Sequence, residues 1–130
     1  MPEYFDPIYI VMLTDATLIN SVSAAVPLNN TKEHWGVVKI AQATTAGVFV
    51  AELAGERDFG GTWDQIFSVD IAAQIAADAA FAAALIAGDV ELQIPPYPGP
   101  GGFIRHRVPT AITGGATHTV NSKMRRLLHG

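Results

Sequence analysis

From Val48 to Leu53 the chain alternates. Phe49, Ala51 and Leu53 fall on one side, and Val48, Val50 and Glu52 on the other. A period of two, rich in Val and Phe, predicts a strand with one buried face. Gly55 to Gly61 then reads as a polar, glycine-rich turn, and Thr62–Phe67 as a returning strand. The pattern therefore predicts a hairpin over 48–69. Trp63, just after the turn, is the expected core anchor beside Phe49 and Leu53, because an indole buries more apolar area than any other side chain.

The same pattern places the other elements. Ile8–Leu13 is a continuous apolar run, expected to be a strand buried on both faces. A weaker strand is expected within Thr17–Leu28, ending at an edge because of Pro27. Asn29–Lys32 and Thr44–Gly47 read as turns around a strand at Trp35–Ala41. Asp70–Ala87 is the one helical segment, with Asp70 as N-cap and Gly88 as stop. Its predicted inner face is Ile71, Ile75, Ala79, Ala82 and Ile86, and its other face is nearly all Ala, including Ala77 and Ala84. Asp89–Ile94 alternates with Val90, Leu92 and Ile94 inward. Pro95–Gly102 reads as a stiff connection that cannot be helix or central strand, with Tyr97 exposed on it as a docking residue. Phe103–Val108 and Ala116–Ser122 are expected to close the chain as a hairpin through Gly114-Gly115.

These elements describe one all-β domain over 1–130, a β-sandwich with one inserted Ala-rich helix, and the jelly-roll-like form of that sandwich is what the resemblance given below implies. An N-terminal arm is expected at about 1–7, with Tyr4 and Phe5 as anchors on this or a neighbouring subunit. A basic C-terminal tail is expected at about 121–130. Met-Pro-Glu at the start lacks the positive charge of a secretory signal. The longest apolar stretch, 71–87, is interrupted by Gln74 and Asp78 and does not read as a membrane span.

Composition adds a second theme. Only 15% of the 130 residues are charged, below the usual ~25%, which points to surface covered by other subunits. Residues 1–99 hold three bases against twelve acids, a balance of −9, while residues 100–130 hold five bases and no acid. Such a basic end can meet an acidic partner or a neighbouring copy. Arg125 and Arg126 are the candidates for that contact. Nucleic acid is the less favoured partner, since aromatic residues do not interleave with Arg105 and Arg107.

Candidate chemistry is sparse. With no cysteine, thiolate metal sites and cysteine nucleophiles are excluded. His34, His106, His118 and His129 are scattered, and only His106 and His118 could meet across the final hairpin. Glu56 and Asp58 share the turn with Arg57 and lack calcium-loop spacing. Catalytic residues, cofactors and metals are therefore expected to be none.

The Gly55, Asp58, Gly60, Gly61, Thr62, Trp63 turn, with Phe103–Val108 and Gly114–Val120, resembles small β-sandwich structural proteins of tailed-phage virions. Galactose-binding-like carbohydrate modules share these features. The resemblance implies a virion protein without an active site, most specifically a capsid decoration (cement) protein. Such a protein would be made in the host cytoplasm, placed on the capsid exterior, and bound to the major capsid lattice as a homo-oligomer, a trimer being favoured. The lattice or oligomer contacts would be Tyr4, Phe5, Ala77, Ala84, Tyr97, Arg125 and Arg126. The alternatives are a carbohydrate-binding module of a tail or fibre, presenting Trp35, Phe59 and Tyr97, and a head–tail or neck component.

Overall fold

The computed structural model describes residues 3–5 (backbone only), 9–54, 62–98 and 101–129. The elements run in the order β1 (Glu3–Phe5), β2 (Ile10–Ala16), β3 (Ser21–Val22), β4 (Val26–Pro27), β5 (Thr31–Ile40), β6 (Thr44–Ala54), β7 (Asp64–Asp70), α1 (Ile71–Ala77), α2 (Ala79–Ala87), β8 (Val90–Pro98), β9 (Phe103–Gly114) and β10 (Val120–His129). Two antiparallel sheets form. The first has β1 and β2 on one edge of β10, then β5 and β8; the second has β3 and β4 on one edge of β9, then β6 and β7. Six of the nine connections between successive strands cross from one sheet to the other, and among the described residues β6 and β7 are the one pair of successive strands bonded to each other. This is the jelly-roll winding of two interleaved Greek keys.

The sheets face each other through one core. Val38, Ile40, Val120 and Met124 come from the first sheet, and Phe49, Ala51, Ile104, Val108 and Ile112 from the second. In β5, Gly36, Val38 and Ile40 point inward as their alternation predicts, and Ile94 anchors β8 in the same way. Gly47 of β6 lies against Ile112 of β9. It has φ +126°, and a Cβ there would stand 2.5 Å from Ile112 Cδ1.

Several expectations change. Ile8–Leu13 is not buried on both faces. Val11 is 68% exposed, and Ser122 and Lys123 of β10 pair with Leu13 and Val11, so Met12 is the extra residue of a bulge. The turn expected at Thr44–Gly47 falls earlier, at 41–43, where Ala43 takes φ 65° and the Thr44 N–H donates to the Ala41 carbonyl. The segment 17–28 forms only two short pairings on β9. Pro95–Pro98 is extended rather than a free loop. It continues β8 along a sheet edge, where a missing N–H is tolerated.

The closing hairpin does not exist. β9 and β10 lie in opposite sheets, and β10 pairs with β5 on one side and with β1 and β2 on the other. The expected basic tail is thus an inner strand. Val120, Ser122 and Met124 point into the core, while Asn121, Lys123 and Arg125 take the open face. The arm is a strand as well, with Glu3–Phe5 paired to Leu127–His129 of its own chain.

The expected single helix is two. Asp70 caps α1 by accepting from the Ala73 N–H at 3.2 Å. Asp78 then leaves the helical conformation (φ −135°, ψ 100°), and its carboxylate accepts from the Phe81 N–H at 3.1 Å. This break resets the phase. Ile71 stays buried, but Phe81 and Leu85 replace Ala82 and Ile86 on the inner face, and Ile86 is 73% exposed. Removing the second cap with Asp78→Ala should cost about 1 kcal/mol. Urea denaturation reads it, and an unchanged midpoint would show that the break is held by packing alone.

Candidate interaction surface

Inward residues of β9 are Ile104, His106 and Val108, so Arg105 and Arg107 project from the outer face of the second sheet. Register places Glu52 of β6 opposite Arg105, with Gln65 of β7 next in the same row. Arg107 stands opposite Val50, with Val22 of β3 on its other side. The Glu52 carboxylate accepts from Arg105 Nε at 3.0 Å, from Arg107 Nε at 2.9 Å and from Arg107 Nη2 at 3.1 Å. Burial pushes the Glu52 carboxyl up, but the hydrogen bonds and charges of Arg107 and Arg105 outweigh it and hold the group below the ordinary carboxylate value. The Arg105 guanidinium also lies 4.1 Å from the centroid of the Trp63 ring, a cation–π distance.

Trp63 therefore does not anchor the core. It is half-buried on the rim, outside the packed cluster. Phe49 is fully buried, and Leu53 packs against the core from its edge. The chain reverses before Trp63 reaches β7, so the indole takes no inward strand position. Glu56, Asp58 and Phe59 lie outside the described residues.

The outer face of the first sheet carries a second set of cations. Lys123 Nζ and Arg125 Cζ stand 4.6 Å and 5.2 Å from the Tyr9 ring. A cleft of about 300 Å3, lined among others by Val11, Val37, Lys39, Glu91 and Lys123, opens beside the bulge in β2. Arg126 is tied down too, donating to the Pro27 carbonyl at 3.2 Å. Arg125 and Arg126, expected as free lattice contacts, are engaged within their own chain. Ala77, Ala84 and Tyr97 are exposed, and Tyr97 stands 5.8 Å from the His34 ring. The side chains of Tyr4 and Phe5 lie outside the described residues.

The histidines do not pair as expected. His118 is in the turn after β9 and donates from Nδ1 to the Gly115 carbonyl. His106 is instead buried in the core, 2.7 Å from Ser122 Oγ of the opposite sheet and edge-on to Phe49. The Ser122 oxygen also accepts from the Leu13 N–H at 3.2 Å, so this one hydroxyl ties His106 to β2. His34, on β5, is buried as well, and its Nε2 has no hydrogen-bond partner among the described residues. Burial lowers the His34 pKa to about 4, and burial followed by repulsion from His34 lowers that of His106 to about 3.

Both groupings escaped the sequence reading. The Arg–Glu–Arg cluster joins residues 53 and 55 positions apart, and its only local signal is the spacing of two between the arginines. Among the described residues, no group of three or more His, Asp or Glu side chains gathers as a metal site would require. No described helix is long and apolar enough to cross a membrane.

Comparison with protein-family models and with curated proteins finds no match. Solved structures do match. A chain in the structure of infectious bursal disease virus, Gx strain, aligns over 98% of this chain with a TM-score of 0.53 and 14% identity. The present chain spans 32% of that viral chain. Murine APRIL aligns over 91% of this chain and 98% of its own (TM-score 0.43, 8% identity), and the Triatoma virus empty capsid over 92% and 67% (0.41, 9%). At such identities the likeness concerns the fold: a jelly-roll sandwich of a kind found in a virus structure.

Proposed function

We propose that this chain is a structural protein of a virus particle, and within that class a capsid decoration (cement) protein. It would bind a major capsid lattice as a homo-oligomer, a trimer in the first instance, after synthesis in the host cytoplasm. The observation that carries the reading is the alignment of nearly the whole chain, 98%, onto one portion of a chain in a virus structure. The low charge, and the exposed Ala77 and Ala84, agree with surface reserved for other subunits. The tailed-phage setting rests on the resemblance of the turn around Trp63 and of the closing strands.

Two experiments test this. Mass spectrometry and electron microscopy of purified particles should find the chain on the capsid exterior, and its absence from particles would defeat the reading. Light scattering should show an oligomer that Ala77→Glu with Ala84→Glu dissociates into folded monomers, since both positions are exposed on the chain itself. A wild-type monomer at high concentration would remove the Ala face as a contact. Arg125→Glu with Arg126→Glu is a poorer probe of the lattice, because both side chains serve their own sheet.

A further inference from the structure

The arginine pair on the second sheet is not used up by its own carboxylate. Glu52 engages Nε of Arg105 and Nε with Nη2 of Arg107. Among the described residues, both Nη groups of Arg105 and Nη1 of Arg107 remain without a hydrogen-bond partner, and the three side chains together carry one net positive charge. The Arg105 and Arg107 side chains are 25% and 28% exposed, against 7% for that of Glu52. The carboxylate is thus the covered member of the cluster, and the exposed surface belongs to the two arginines.

The arrangement is also fixed in advance. Glu52 holds each arginine through Nε, and the Trp63 ring holds the plane of Arg105. A fork already oriented loses little entropy when it takes a second carboxylate. Register sets Val22, 49% exposed, beside Arg107, and Gln65 beside Glu52, so the charged centre has an apolar neighbour and a polar one.

We propose that this face docks an acidic, extended segment of another protein. One carboxylate of the segment bridges the free edges of Arg105 and Arg107, and an adjacent apolar side chain lies on Val22. Charge decides between anions. A carboxylate neutralises the single positive charge, whereas a phosphate dianion would leave negative charge over the buried Glu52. Shape decides between a protein segment and a small molecule. The described clefts lie elsewhere, on the first sheet and beside the 41–43 turn. Small ligands favour concave sites, while arginine and tryptophan on an open face are the usual anchors of protein contacts. The inference stands apart from the particle assignment, because it requires only the segment's chemistry.

The test uses the full chain carrying Trp35→Phe, which leaves Trp63 as the sole tryptophan reporter. The probes are a blocked hexapeptide with one glutamate between valines, its glutamine counterpart, and inorganic phosphate. Trp63 emission and the Arg Nε–H resonances are followed. The glutamate peptide should give a saturable change, with the glutamine peptide at least tenfold weaker and phosphate weaker still. Arg105→Gln should weaken the glutamate peptide at least tenfold, and Arg105→Lys, which keeps the charge but loses the fork, severalfold. Lys123→Gln on the opposite sheet should have no effect. Equal binding of both peptides overturns the proposal, as does tighter binding of phosphate or the absence of a saturable change at millimolar peptide. Self-association abolished by Arg105→Lys would give the face to a second copy and overturn the assignment to a foreign segment.

Discussion

Between pH 6.5 and pH 4 this protein should lose a large share of its stability, and two buried histidines should be responsible. An unfolded histidine takes up a proton near pH 6.5. In the folded chain His34 does so only near pH 4 and His106 only near pH 3. Below pH 6.5 the unfolded state therefore binds more protons than the folded one, and stability falls as pH falls. The contribution is complete above pH 6.5. At about 1.4 kcal/mol per unit for each group, the loss by pH 4 is about 3 kcal/mol for each histidine. That is a large share of the ~5–15 kcal/mol typical of a domain. The geometry gives the shift its cause. His106 lies in the packed core, edge-on to Phe49, where burial disfavours an imidazolium. The charge would also face His34, whose Nε2 has no partner to share it. The nearest stabilised anion, Glu52, is on the outer face and answers to its own arginines. Urea denaturation from pH 7.5 to 4 should show stability falling by about 2–3 kcal/mol per unit below pH 6, and His34→Leu should roughly halve that slope. A profile flat to pH 4.5 would refute the account.

Most of the long strands were legible, and apart from the β6–β7 hairpin their partners were not. Alternation in β6 and β8 fixes which side chains face inward, because the strand period needs no tertiary knowledge. Pairing does. Sequence proximity favours a hairpin between β9 and β10, and nothing local brings Glu52 of β6 to Arg105 and Arg107. In the jelly roll the winding sends β9 to β6 instead, and the register Glu52↔Arg105 follows. Charge misled in the same way. Lys123, Arg125 and Arg126 suggest a solvated tail, yet charges at outward positions are compatible with an inner strand of a sheet with one open face. The helical segment was hard for a different reason. A run so rich in Ala has little periodicity, so only Asp78 marked the break, and an Asp within a helix can be read as a solvated residue. His106 gave no signal at all. Its position between Ile104 and Val108 is seen to be inward only when the phase of β9 is known.

Replacing Phe49 should cost far more than replacing Trp63, the reverse of what the size of the two side chains suggests. Phe49 is fully buried, edge-on to Phe67 at 6.3 Å and to His106 at 5.2 Å between ring centroids. Phe49→Ala removes a ring from a close-packed interior and should destabilise by ~3–5 kcal/mol. Trp63 is half-buried on the rim. Its substitution by Ala loses the contact with Arg105, worth ~0.5–2 kcal/mol, and some surface burial. Equilibrium denaturation at pH 7.5 separates these cases, and equal losses would return Trp63 to the core. A second consequence follows for Phe49 alone. The cavity would adjoin the His106 ring, so water admitted there would solvate the imidazolium and raise the His106 pKa toward its ordinary value. The Phe49→Ala variant should therefore be less stable at neutral pH and yet lose stability less steeply in acid. A variant that lost stability at neutral pH but kept the full acid slope would show that the ring is not what keeps His106 dry.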